Sequence, residues 1–183
     1  GLVKTRPFRN PHQSASAVAL CGGGLKAKPG EMSLSHRGVL FLDELPEFPR
    51  PVLETLRQPL ESGVITVSRA NHHITYPARF QLIAAMNPCP CGYLGHPTIP
   101  CKCSNKQIQN YTARLSGPLM DRIDLHLDVS VVTANELTLP SPKEGTKEIA
   151  ARVLAARKLQ QERYKDTPYT CNAEVDGRYL EKA

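Results

Sequence analysis

An α/β fold built on a parallel sheet is what this sequence predicts, and three observations predict it. Val39-Leu40-Phe41-Leu42 is an apolar run too short for a free-standing helix, and it reads as a strand buried on both faces. Phe80 to Met86 is a second mostly apolar strand. Between and around these runs, apolar residues recur at helical spacing, as expected when helices connect parallel strands. Each strand also ends on polar chemistry, Asp43-Glu44 after the first and Asn87-Pro88 after the second. Open α/β sheets bind ligands at the carboxyl ends of their strands.

The totals agree with a soluble globular chain. Its 183 residues are 40% hydrophobic and 22% charged, enough for one sizeable core with a small appendage. No apolar run approaches a membrane span and no signal-peptide pattern opens the chain, so no membrane partner and a cytoplasmic location are expected. The net charge of +6 favours a polyanionic partner. Six cysteines under a cytosolic expectation point to metal or free thiols rather than disulfides.

In chain order, Arg6 to His12 is bracketed by prolines and extended. Ser14 to Leu20 forms a short helix stopped by Gly22-Gly23-Gly24. That triple glycine lacks the Lys-Ser/Thr of a phosphate-binding loop and reads as a flexible turn. Glu31 to His36 is a short element leading into the central strand. Asp43 and Glu44 then admit two readings. One is a Walker B strand, with Asp43 helping to hold Mg²⁺ and Glu44 polarising a water. The other is a core strand ending in a solvated turn.

After Pro46, Pro49 and Pro51, a helix carries Val52, Leu53, Leu56 and Leu60, and Pro59 kinks or shortens its last turn. Val64 to Ser68 and Ile74 to Tyr76 form a hairpin whose tip includes Arg69, His72 and His73. That tip is either a solvated turn or a reader of a polyanion. Residues 89–103 hold Cys89, Cys91, Cys101 and Cys103, two Cys-x-Cys pairs around a Gly- and Pro-rich gap. They are a structural Zn²⁺ site or four reduced thiols; Cys-x-Cys is tighter than the usual zinc spacing. Ser104 and Gln107 form a capping box for a helix through Leu115. Leu125, Leu127, Val129 and Val131 alternate with His126, Asp128 and Ser130, which predicts a strand. Residues 140–145 are a linker, and Thr146 to Lys165 is a helix.

Several of these stretches stand in one order that resembles a known family. They are Arg6-Pro7-Phe8-Arg9, Pro29-Gly30-Glu31, Gly38 to Phe48, Leu56 to Glu61, Asn87 to Gly92 and Ser116 to Asp124. Over roughly residues 5–130 the chain resembles the magnesium-chelatase-like AAA+ ATPases, in their ComM (YifB-type) branch. The resemblance implies a partial P-loop AAA+ core with a β-hairpin insertion over residues 1–139, and the start of a helical lid over residues 140–183. It implies ATP and Mg²⁺ as cofactors, with Asp43 and Glu44 as Walker B acids, Asn87 as sensor 1 and Arg122 as an arginine finger reaching a neighbouring subunit. It also implies a hexameric ring that drives branch migration of DNA, with the hairpin facing the pore. Two other functions stay open: a chelatase-like motor that remodels a protein, and a zinc-stabilised nucleic-acid-binding module without catalysis. The sequence departs from the family in two ways. It contains no Gly-x-x-x-x-Gly-Lys-Ser/Thr, so the Walker A loop is expected upstream and this chain alone is expected to be inactive. It also has Pro11-His12-Gln13 where the family carries Pro-His-His.

Overall fold

Residues 5–24, 26–69, 72–132, 138, 140 and 144–175 are described by a computed structural model. They fall into two compact units, residues 1–130 and 131–183.

The first unit is organised on β4 (Val39–Leu42), the apolar run of the sequence. β1 (Phe8–Arg9) lies parallel on one side of it, Phe8 opposite Val39. β7 (Gln81–Ala84) lies parallel on the other, Leu42 opposite Ala84. The three strands form one sheet in the order β1-β4-β7. β1 approaches closely because position 38 is glycine: a Cβ there would stand 2.0 Å from the Pro7 carbonyl oxygen.

The helices supply the core on one face of this sheet. α1 (Ala17–Cys21) starts at Ser16, whose hydroxyl accepts from the Ala19 N–H. α2 (Glu31–Leu34) precedes β4 directly. α3 (Arg50–Glu54) and α4 (Arg57–Ser62) follow it after a 3₁₀ turn at Leu45–Glu47. Leu20, Met32, Val52, Leu53, Leu56 and Leu119 pack with Leu40 and Leu42 in one buried cluster. The predicted single helix after Pro51 is thus two. Pro59 has no N–H for the Thr55 carbonyl, and its ring crowds that carbonyl, so the ladder breaks between the two pieces.

The strand predicted to be buried on both faces is covered on one. Leu40 and Leu42 are buried, whereas Val39 and Phe41 are half-exposed. Phe8, 63% exposed, stacks beside Phe41 with ring centroids 6.3 Å apart, and Ile83 on β7 is also exposed. This second face is therefore partly open to solvent.

Two smaller antiparallel pairs complete the unit. β2 (Gly22–Gly23) pairs with β3 (Lys28–Pro29), so the triple glycine begins in a short ribbon. β5 (Val64–Arg69) pairs with β6 (His72–Pro77), Arg69 opposite His72. Ile65 and Val67 face the core, and Tyr76 donates to the Ala27 carbonyl at 2.7 Å. Beyond β7, the loop of residues 85–104 leads to α5 (Asn105–Thr112) and then α6 (Gly117–Met120). The capping box forms as expected: the Gln107 N–H donates to Ser104 Oγ, and the Ser104 N–H donates to Gln107 Oε1.

The alternating segment Leu125–Val131 is not a strand. Alternation prepares a segment for pairing, but a strand forms only when a neighbour takes its hydrogen bonds. No described residue does so, and Leu125, Leu127 and Val129 are 79%, 83% and 91% exposed.

The second unit contains α7 (Thr146–Arg163), none of whose residues is buried. Its carboxyl end is fastened locally. The Tyr164 hydroxyl donates to Asn172 Oδ1 at 2.9 Å, and the Asn172 N–H donates to Gln160 Oε1. The expected boundary at residue 139 lies outside the described residues. No helix of the described residues is long and apolar enough to cross a membrane.

Candidate functional site

Parallel pairing brings the polar strand ends to one edge of the sheet. β4 ends at Leu42, so Asp43 and Glu44 emerge where β7 ends at Ala84. The backbones stay locked there: Ala85 N–H donates to the Leu42 carbonyl at 3.0 Å, and Leu45 N–H donates to the Ala85 carbonyl at 2.9 Å. Asn87 follows two residues later and is exposed, as are both acids. Asp43, Glu44 and Asn87, predicted separately, therefore leave adjacent strands in the same direction.

Glu44 is held by its surroundings in an unusual way. Its backbone is left-handed, φ 52° and ψ 46°, a conformation uncommon outside glycine. Its N–H donates to Asp43 Oδ1 at 2.8 Å. Its carboxylate accepts from Gln13 Nε2 at 3.0 Å. The sequence singled out position 13 only as a departure from the family pattern. The parallel β1-β4 pair explains why it matters, since Gln13 follows β1 toward the same sheet edge.

Two further residues support this edge, Arg114 without any signal in the sequence and Tyr111 as part of the apolar face that the helical spacing predicts. Arg114, beyond α5, donates to the Pro46 carbonyl at 2.8 Å and to Glu47 at 3.1 Å, tying α5 to the turn that follows Glu44. Tyr111 is buried on α5. Burial pushes its hydroxyl pKa up, while a hydrogen bond with the Asn87 backbone works the other way.

Arg122 stands elsewhere. Its guanidinium donates to Glu61 on α4 at 2.5 Å and to the Pro118 carbonyl at 2.6 Å. It lines an open cavity of about 430 Å³ with Glu54, Arg57, Gln58, Glu61 and Ser62. Neither Asp43, Glu44 nor Asn87 lines that cavity. Its carboxylate partner is thus Glu61 on α4 and not the neighbouring Asp121 or Asp124. Glu61 is held below the ordinary carboxylate range by the Arg122 hydrogen bond and charge.

The hairpin tip yields less. His73 is exposed, with Nδ1 3.0 Å from Ser68 Oγ. The side chains of Arg69 and His72, and residues 70 and 71 entirely, lie outside the described residues.

The four loop cysteines converge. Cys89, Cys91, Cys101 and Cys103 place their sulfurs within 4.8 Å of one another, with Cys89 buried and the others half-buried. All are free thiols. Cys91 is pulled down to about 6, first by the N–H groups of Tyr93 and Lys102, and Cys103 is pushed up to about 12, first by loss of solvation.

The oxygen set of the sheet edge fits a hard cation, because Asp43 and Glu44 are exposed carboxylates fixed on paired backbone. No Gly-x-x-x-x-Gly-Lys-Ser/Thr loop occurs in these 183 residues.

The family profile described as magnesium chelatase, subunit ChlI, matches residues 1–137. An uncharacterized protein YifB of Salmonella typhimurium is 49% identical over 179 residues, 97% of this chain and 34% of its own length. Competence protein ComM of Haemophilus influenzae is 49% identical over 192 residues, 98% of this chain and 37% of its own. The chain thus spans about a third of the length of the curated relatives it matches. Among solved structures, NtrX from Brucella abortus with ADP aligns over 65% of this chain and 24% of its own, at 16% identity and a TM-score of 0.44.

Proposed function

We propose that this chain, which belongs to the magnesium chelatase ChlI family, carries the water-activating half of an ATP-hydrolysing site in a ring-forming motor that moves on DNA. One observation carries the hydrolytic reading. A carboxylate pair and an amide, Asp43, Glu44 and Asn87, leave two adjacent parallel strands at one sheet edge, with the Glu44 carboxylate held by Gln13.

The roles follow from the chemistry. Phosphoryl transfer needs positioning and charge neutralisation more than covalent help. Asp43 offers an oxygen to Mg²⁺, which when bound neutralises phosphate charge. Glu44 accepts the proton of an attacking water, and Gln13 aims that carboxylate. Asn87 donates its amide toward the same water or the terminal phosphate. Arg122, outside this cluster, suits a guanidinium that acts on the nucleotide of a neighbouring subunit. A ring, hexameric by the family resemblance, supplies that neighbour.

The load is the finer part of the proposal. The net charge of +6 and the resemblance to the ComM branch support a DNA substrate and a branch-migration role. The name of the matching family supports a second load, a protein partner in a chelatase, driven by the same ATPase.

The test uses a protein that also contains the phosphate-gripping loop. Glu44→Gln should keep ATP binding and lower turnover by at least about 100-fold, because only the water-activating base is lost. Retained turnover would sink the role of Glu44. Stimulation of the unsubstituted enzyme by forked DNA supports the DNA load; a flat response to DNA turns the choice to the protein load.

A further inference from the structure

We infer that Cys89, Cys91, Cys101 and Cys103 form a structural tetrathiolate site for a single zinc ion, and that this ion fixes the loop that carries Asn87. The spacing of the sulfurs is the first argument. A tetrahedral zinc with Zn–S bonds of about 2.3 Å separates its sulfurs by about 3.8 Å along each edge. The sulfurs of Cys89, Cys91 and Cys101 form a triangle with sides of 3.5, 3.6 and 3.7 Å. Cys103 closes the fourth corner, within 4.8 Å of the other three. A disulfide would need about 2.05 Å and pairs rather than a common centre. A cluster of several irons would need the thiolates spread around a larger core. One ion fits.

The backbone is the second argument. Cys89 to Gly92 makes a tight turn in which the Gly92 N–H donates to the Cys89 carbonyl at 3.0 Å, with Pro90 setting the bend. Gly92 has φ 79°, open to glycine at little cost. The Tyr93 N–H reaches the Cys91 sulfur from the first Cys-x-Cys pair and the Lys102 N–H reaches it from the second. Backbone N–H groups placed this way orient a sulfur ligand for the metal. The soft four-sulfur set selects zinc among the available divalent ions and excludes the hard cation suited to Asp43.

The third argument is what the loop lacks otherwise. Tyr93, Leu94 and Ile99 between the pairs are exposed, so this stretch has little apolar burial of its own. A four-point anchor gives it order that packing does not supply. The anchor begins two residues after Asn87. A Cβ on Gly92 would stand 3.9 Å from the Asn87 amide carbon, so the turn and the amide are neighbours. The short Cys-x-Cys spacing that argued against zinc in the sequence is no obstacle, because the two pairs approach from opposite ends of the loop.

The test needs only this chain and does not depend on the ATP reading. Metal analysis of the purified chain should give one zinc per molecule. Replacement by Co²⁺ under reducing conditions should produce the visible spectrum of a tetrahedral four-thiolate site. Cys91→Ser and Cys103→Ser should each weaken zinc binding by more than about tenfold, since even an outer-shell change can cost that much. Cys21→Ser and Cys171→Ser should leave it unchanged. Hydrogen exchange at Tyr93 and Lys102 should quicken when the metal is removed. If a serine variant fails to fold, the cobalt spectrum of the unsubstituted chain still decides. A chain that takes up neither ion after reduction, or a cobalt spectrum with fewer than four thiolates, overturns the site.

Discussion

Glu44 joins the proposed water-activating role to a left-handed backbone in one residue. A left-handed backbone costs an L-residue about 1–2 kcal/mol, and glycine avoids that cost while losing about 0.5–1 kcal/mol more in unfolded-chain entropy. Glu44→Gly should therefore raise the stability of this chain by up to about 1 kcal/mol, read by urea unfolding. The same change in a protein with the phosphate loop should remove hydrolysis. A loss of stability on Glu44→Gly would mean that the Gln13 contact outweighs the backbone strain. The carboxylates themselves were legible in the sequence, because an apolar run ending in two acids is a local pattern. The Gln13 partnership was not. It depends on the parallel register that sets Phe8 beside Val39, and such register joins positions far apart in sequence.

At the scale of elements, the pairing of α4 with the turn after α6 invites a direct measurement. Arg122 holds the Glu61 carboxyl below its ordinary 4.5 by hydrogen bond and charge. A carboxyl depressed on folding contributes stability that is present above its unfolded value and is lost as pH falls through the folded one. The Arg122–Glu61 contact should thus weaken in the acid range below 4.5, and nothing should change near neutrality. A carbon-detected titration of Glu61 should give a midpoint below 4.5, returning toward it in Arg122→Ala. In the ring proposed above, the same variant should regain turnover when mixed with subunits that keep Arg122 but carry Glu44→Gln. An unshifted Glu61 removes the ion pair, and mixed rings without recovery remove the action in trans. The elements differ in how readily their sequence announces them. The Ser104–Gln107 box is complete within four residues, so it could be read directly. The break before α4 turns on one proline opposite one carbonyl, and the helical spacing of Val52 to Leu60 runs straight through it.

For the molecule as a whole, the decisive fact is that, among the described residues, β4 buries Leu40 and Leu42 while Val39 and Phe41 stay partly exposed. Leu40 and Leu42 are fully buried under the helices, while Phe8, Ile83 and the alternating run from Leu125 to Val129 remain open to solvent. Alternation in the sequence reports which residues could face a core; it does not report whether the opposing layer is present. That is why neither the one-sided burial of β4 nor the unpaired state of residues 125–131 is legible in the sequence, although the parallel α/β class is. The asymmetry has an energetic consequence that can be measured in this chain. Leu42→Ala empties a packed site and should cost about 2–5 kcal/mol in urea unfolding. Leu127→Ala removes a side chain that is 83% exposed and should change stability by no more than about 0.5 kcal/mol. Hydrogen exchange should repeat the contrast, with slow amides at Gln81 and Ala85, which donate to the Gly38 and Leu42 carbonyls, and open-chain rates from Leu125 to Val129. Slow exchange in that segment, together with a large cost for Leu127→Ala, would show that it pairs with a strand and that the sheet is wider than β1-β4-β7.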